Sequence, residues 1–121
     1  MKKIILLLMS IFLMSCAEEK STKYSTDSGK VYLLITENTT EKELTKIASE
    51  FKTEKNIMVD FSESRFFKNG KIERLNLKVD CNDGFKGSTK SSVQDLETNN
   101  YGFVRNYSDA NVPFSIGNIS I

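Results

Sequence analysis

Residues 40–55 carry the clearest periodicity in the chain. Leu44, Ile47, Ala48 and Phe51 fall at i, i+3, i+4 and i+7, which is one face of a helix. Thr40 and Glu43 have capping-box spacing, so each can satisfy a free backbone N–H in the first turn. Lys52 and Lys55 sit in the last turn, where cations complement the helix dipole, and Asn56 suits a left-handed stop. Lys42, Thr45, Ser49 and Lys52 form the opposite face and should be wet.

The flanking segments read as strands. Val31-Tyr32-Leu33-Leu34-Ile35 is a continuous apolar run of the kind expected of a strand buried on both faces. Ile57, Val59 and Phe61 alternate with Met58, Asp60 and Ser62, a half-buried strand that runs on towards Phe66-Phe67. Asn69-Gly70 is a strong hairpin signal because both residues tolerate positive φ. The return strand sets Leu75, Leu77, Val79 and Cys81 on one face and Arg74, Asn76, Lys78 and Asp80 on the other. Asn82-Asp83-Gly84 makes a second turn, after which Phe85 to Ser91 reads as a weak edge strand. The expected fold is therefore α+β, a single small β-α-β-β domain over residues 31–121. One helix should lie on a mostly antiparallel sheet ordered 2-3-1, with a short C-terminal strand around Phe114 and Ile116.

Between them, residues 91–111 show no evident period and are expected to form an irregular loop. Its Tyr101, Phe103 and Tyr107, set among asparagines, have the aromatic faces and amides that bind a glycan or peptide. Phe66 and Phe67 are consecutive, so one of them must leave the core face if the strand continues. These five aromatics are the candidate partner contacts.

The N-terminus has a different character. Lys2 and Lys3 precede an apolar run from Ile4 to Met14, broken only by Ser10, and then come Ser15 and Cys16. The run is too short to span a bilayer, which needs about 20 residues, and it fits the h-region of an export signal. Leu13-Met14-Ser15-Cys16 resembles a bacterial lipobox, which implies a signal peptide over 1–15 and an acylated Cys16 at the start of the mature chain. Such lipoproteins normally carry two or more acyl chains, enough for stable anchoring. Residues 16–30 are polar and read as a lipidated tether, with a reach of roughly 20 Å. Ala17 stands where an inner-membrane-retained lipoprotein often has aspartate, so the resemblance favours the outer membrane, on its periplasmic side or at the cell surface.

Removing residues 1–15 leaves 106 residues, enough for one domain. Lys2 and Lys3 leave with the signal, so 15 basic and 16 acidic side chains remain, a formal charge of −1. That balance gives no electrostatic footprint for nucleic acid. With Cys16 acylated, Cys81 is the sole remaining thiol, so no intrachain disulfide can form and the domain must be held by its core. Its parity with Leu75, Leu77 and Val79 predicts a buried thiol. The sequence has no histidine, which removes the commonest general base, the His-bearing triads and the His-containing zinc sites.

Two local patterns fail on inspection. Ser49-Glu50-Phe51-Lys52 matches Ser-x-x-Lys, but Ser49 lies late in the helix on its wet face, and the Ser-Asp-Asn and Lys-Thr-Gly partners are missing. Asp80, Asn82 and Asp83 suggest a calcium loop, yet counting from Asp80 puts Gly84 at position 5 and Ser91 at position 12, where oxygen ligands and glutamate are required.

Taken together, 35–40 (Ile35-Thr36-Glu37-Asn38-Thr39-Thr40), Glu43-Leu44, Ile47, 57–62, Asn69-Gly70-Lys71-Ile72 and 75–79 resemble a small module. It is found at the periplasmic, C-terminal end of β-lactam-sensor-type membrane zinc peptidases in Bacteroidetes, and in small envelope lipoproteins. The resemblance covers residues 31–90 and implies a role in envelope sensing or contact. The peptidase's histidine zinc ligands have no counterpart here, so no catalytic residue, metal or cofactor carries over. The expectation is a non-catalytic module binding an envelope protein or glycan; the alternative is a hydrolase of an envelope substrate using carboxylate or lysine chemistry.

Overall fold

The structure is a computed structural model and describes residues 20–108 and 111–119. The expected signal peptide over 1–15, Cys16 and residues 17–19 of the expected tether lie outside the described residues. The fold is α+β with mostly antiparallel sheets, as expected.

Helix α1 spans Glu41–Lys55. Thr40 Oγ1 accepts from the Glu43 N–H while Glu43 returns a carboxylate oxygen to the Thr40 N–H, completing the capping box. Asn56 ends the helix in the left-handed region at φ 55°. Leu44, Ile47 and Phe51 are buried, and Lys42, Thr45, Ser49 and Lys52 are exposed.

Among the described residues, eight strands form two four-stranded sheets. The first takes β1 (Lys23–Thr26), β2 (Lys30–Ile35), β7 (Tyr101–Asn106) and β8 (Phe114–Asn118), in that order. In the second, β3 (Met58–Asp60) and β4 (Arg65–Phe66) share β5 (Ile72–Asp80), which also pairs with β6 (Lys86–Ser92). A short helix α2, Val93–Thr98, follows β6 directly.

Four expectations need correction. The sheet order is not 2-3-1, because β2 pairs with β1 and β7 and makes no ladder with β5. The place beside β2 goes to β7, which buries Phe103 in the core, and Gly102 leaves room for it: at φ +152°, a methyl there would sit 1.8 Å from the Leu33 carbonyl oxygen. Second, β2 alternates, with Val31, Leu33 and Ile35 buried and Tyr32 and Leu34 half-buried. Third, residues 23–26 of the expected tether are strand β1, anchored because Tyr24 packs edge-on against Phe51 at 6.2 Å between centroids. Fourth, the supposed loop 91–111 contains α2, capped by a Ser92–Asp95 box, and β7.

The hairpin at Asn69-Gly70 is present. Phe67 N–H donates to the Lys71 carbonyl and Gly70 N–H to the Phe67 carbonyl, with Gly70 at φ +90°. Leu75, Leu77, Val79 and Cys81 share the buried face. The segment from Phe85 to Ser91 is indeed an edge strand, β6, but a well-paired one that runs alongside β5 from Asp80↔Lys86 to Arg74↔Ser92. Its other edge carries no ladder among the described residues.

The elements run lengthwise between two ends. β5, nine residues long, spans about 30 Å at 3.3 Å per residue. At one end lie Lys20, the loop 36–40 and the hairpin tip 67–71, joined by Asn38 Nδ2 donating to Lys20 O and Lys71 Nζ donating to Asn38 Oδ1. At the other end lie Asn56, the turn 82–84, Arg105 to Tyr107 and Pro113, joined by Asn82 Nδ2 donating to Asn56 O and Asn106 N–H donating to Pro113 O.

Candidate contact surface

Arg105 organises the end of the domain away from Lys20. It is 8% exposed, so its charge must be compensated inside the protein. Nε and Nη2 reach the same oxygen of Asp83, at 2.9 and 2.8 Å. Nη1 donates to the carbonyls of Asn106 and Pro113, both at 3.0 Å. The planar guanidinium lies between two rings, 4.5 Å from the Phe85 centroid and 4.4 Å from that of Tyr107. A fork of fixed donors with two stacking faces suits arginine and not lysine.

One side chain therefore fixes three segments: the turn before β6, the end of β7 and the approach to β8. Two exposed apolar residues ride on them, Tyr107 and Val112, the latter next to Pro113. Lys55, in the last turn of α1, also lies 5.8 Å from the Tyr107 ring. Burial, with Cys81 and Asp83 close by, pushes the Tyr107 phenol above its ordinary value, and Arg105 opposes this. The phenol stays neutral near pH 7 and can donate a hydrogen bond to a partner.

Met58, also exposed, lies in a shallow groove of about 450 Å³ with Asp60, Lys78, Asp80, Lys86 and Ser88, on the outer face of the second sheet. Of the charged groups there, Asp60, Lys78 and Asp80 are already engaged. Ser62 hydrogen bonds, and less so Lys78, hold the Asp60 carboxyl below its usual range. Lys78 is paired with Glu63, which raises its pKa. Asp80 accepts from the Asn82 N–H. A carboxylate held ionised by turn hydrogen bonds is a poor general acid and a weak base at neutral pH. Among the described residues, no group of three or more His, Cys, Asp or Glu side chains is placed to hold a metal ion.

The five predicted contact aromatics do not converge. Phe103 is fully buried, 5.2 Å from Phe51 between centroids, and is withdrawn as a contact residue because β7 turns it into the core. Tyr101 is half-buried and packs on that core. Phe66 packs edge-on against Phe61, while Phe67 is 47% exposed at the hairpin tip. Tyr107 is exposed at the opposite end. Arg105 is not among the expected contacts; the period of two shared by Tyr101, Phe103, Arg105 and Tyr107 marks the strand, while the buried role of Arg105 depends on partners distant in sequence.

No protein-family model, curated protein or solved structure matches the chain.

Proposed function

We propose that the protein is an envelope lipoprotein, acylated at Cys16 and anchored in the outer membrane, that acts as a non-catalytic contact module for an envelope protein or glycan. The observation that carries this reading is the exposed Tyr107, held against the buried Arg105, with the exposed Val112 next to Pro113, whose carbonyl Arg105 also binds, at the end away from Lys20. A rigid aromatic in a pre-organised setting makes a good binding anchor, because little conformational entropy is lost on contact. The tether would project this end away from the lipid. The resemblance of residues 31–90 to the sensor-peptidase module points the same way.

Two experiments test the reading. Cys16→Ser should leave an unprocessed precursor without lipid label, and equal labelling of both forms would remove the anchor. A photo-crosslinking side chain at Val112 should yield a discrete envelope adduct that the same group at Ser49, on the wet face of α1, does not. If instead the purified protein hydrolysed a peptidoglycan, glycan or peptide substrate, and one Asp, Glu or Lys substitution abolished this, the hydrolase would take its place.

A further inference from the structure

The hairpin tip beside Lys20 has a different character from the far end, and the covalent route to the lipid says what it faces. Four peptide units separate Cys16 from Lys20, and they cannot span more than about 14 Å. Lys20 is hydrogen-bonded to Asn38, and Asn38 to Lys71, which closes the loop carrying Phe67 and Lys68. Phe67 is 47% exposed, and Lys68 beside it is exposed too.

We infer that the tip 67–71 docks on the lipid surface in which the Cys16 acyl chains are embedded, with Phe67 entering the interface and Lys68 and Lys71 at the level of the phosphates. The inference rests on acylation of Cys16. Aromatic rings favour the membrane–water interface, and lysine stems can lie along apolar surface with the ammonium in the polar layer. Glu41, Glu43 and Glu73 lie near the same tip in sequence or across the Thr40↔Lys71 bridge and oppose an anionic surface. The ring and the tether, more than net charge, must therefore drive the contact. One buried phenylalanine would not hold a free domain on a bilayer, but the tether makes the contact intramolecular and raises its effective concentration into the millimolar range. Docking here would point Tyr107 and Val112 away from the membrane, about 30 Å along β5.

The chain contains no tryptophan, so one introduced indole reports on its own depth. The mature acylated protein carrying Phe67→Trp, or Val112→Trp as the far-end control, is reconstituted into phosphatidylcholine–phosphatidylglycerol vesicles with brominated acyl chains. The F67W protein should be quenched at least twofold more than V112W, and its emission should shift to the blue. Equal, weak quenching in protein that floats with the vesicles overturns the docking while leaving the anchor in place. A chain that carries no lipid by mass and does not float removes the anchor and the docking together. As an independent check, trypsin should cut at Lys68 several-fold more slowly in the vesicle-bound wild type than in vesicle-bound Phe67→Ser, and equal rates count against docking.

Discussion

Arg105 and Asp83, 22 residues apart in sequence, meet through two donors on one carboxylate oxygen, at 2.9 and 2.8 Å. The pair closes the turn before β6 onto the end of β7, and the two carbonyls held by Nη1 add the segment leading into β8. Because the guanidinium is enclosed by Phe85 and Tyr107, its loss would leave apolar ring faces without their cation and the Asp83 carboxylate without its ion partner. Arg105→Lys keeps the charge but lacks the fork and the stack. It should cost about 1–3 kcal/mol in urea unfolding, the usual penalty for unsatisfied buried polar groups. It should also release Tyr107, visible as loss of near-ultraviolet circular dichroism from that ring. An unchanged midpoint and spectrum would show that the cluster is decoration.

Gly102 gives a sharper test. A methyl there would lie 1.8 Å from the Leu33 carbonyl oxygen, against backbone that belongs to the central β2–β7 ladder. Gly102→Ala should cost more than about 4 kcal/mol or prevent folding, a loss seen only when a named mechanism such as this operates. Gly84 also has positive φ, at +102°, yet nothing lies within 4 Å of its added methyl. Gly84→Ala should therefore cost only about 1–2 kcal/mol, the intrinsic price of a left-handed residue. Similar losses at both sites would mean that the ladder is looser than its geometry shows.

What could be read from the sequence was what is encoded locally. The Thr40–Glu43 box, the left-handed Asn56 and the Asn69-Gly70 turn each involve residues within a few positions of one another, and all appear as expected. The pairing of β2 is not legible in the sequence because its partner, β7, lies some seventy residues downstream and contains a glycine and an arginine that break the look of a core strand. Burial of Arg105 depends on Asp83, Phe85 and Pro113 arriving from elsewhere in the chain, which no local pattern announces. β1 reads as tether in the sequence because Lys23-Tyr24-Ser25-Thr26 has one apolar side chain, and that one finds Phe51. The candidate contacts suffered for the same reason: exposure of an aromatic is a tertiary property, so Phe67 and Tyr107 could not be separated from Phe103 in advance.

The helix face is checked by a pair of alanines. Phe51 is fully buried and touches both Tyr24 and Phe103, so Phe51→Ala should lose about 3–5 kcal/mol through removed contacts and the cavity left behind. Ser49 is exposed on the other face, and Ser49→Ala should change the urea midpoint by less than about 0.5 kcal/mol. The reverse pattern would place the wrong face of α1 in the core.

Cys81 should give the domain a distinct weakness in alkali. The thiol is buried on β5's core side, and burial pushes its pKa from 9.0 to about 11, with Asp83 and Asp80 adding to the shift and Arg105 opposing it. Below pH 9 the thiol is neutral in both folded and unfolded chains and has no effect on the balance. Between pH 9 and about 11 the unfolded chain gives up the proton and the folded one keeps it, so the unfolded state binds fewer protons and stability falls as pH rises. The full effect is on the order of 2–3 kcal/mol, from 1.36 kcal/mol per pKa unit. Tyr107, whose own pKa is raised in part by Cys81, adds a fall of the same sign, so the comparison must be between wild type and Cys81→Ala. Urea midpoints from pH 8 to 10.5 should fall more steeply for the wild type, and a thiol reagent at pH 8 should label it only after denaturation. Parallel pH profiles for the two proteins, or rapid labelling of the native one, would put Cys81 outside the core.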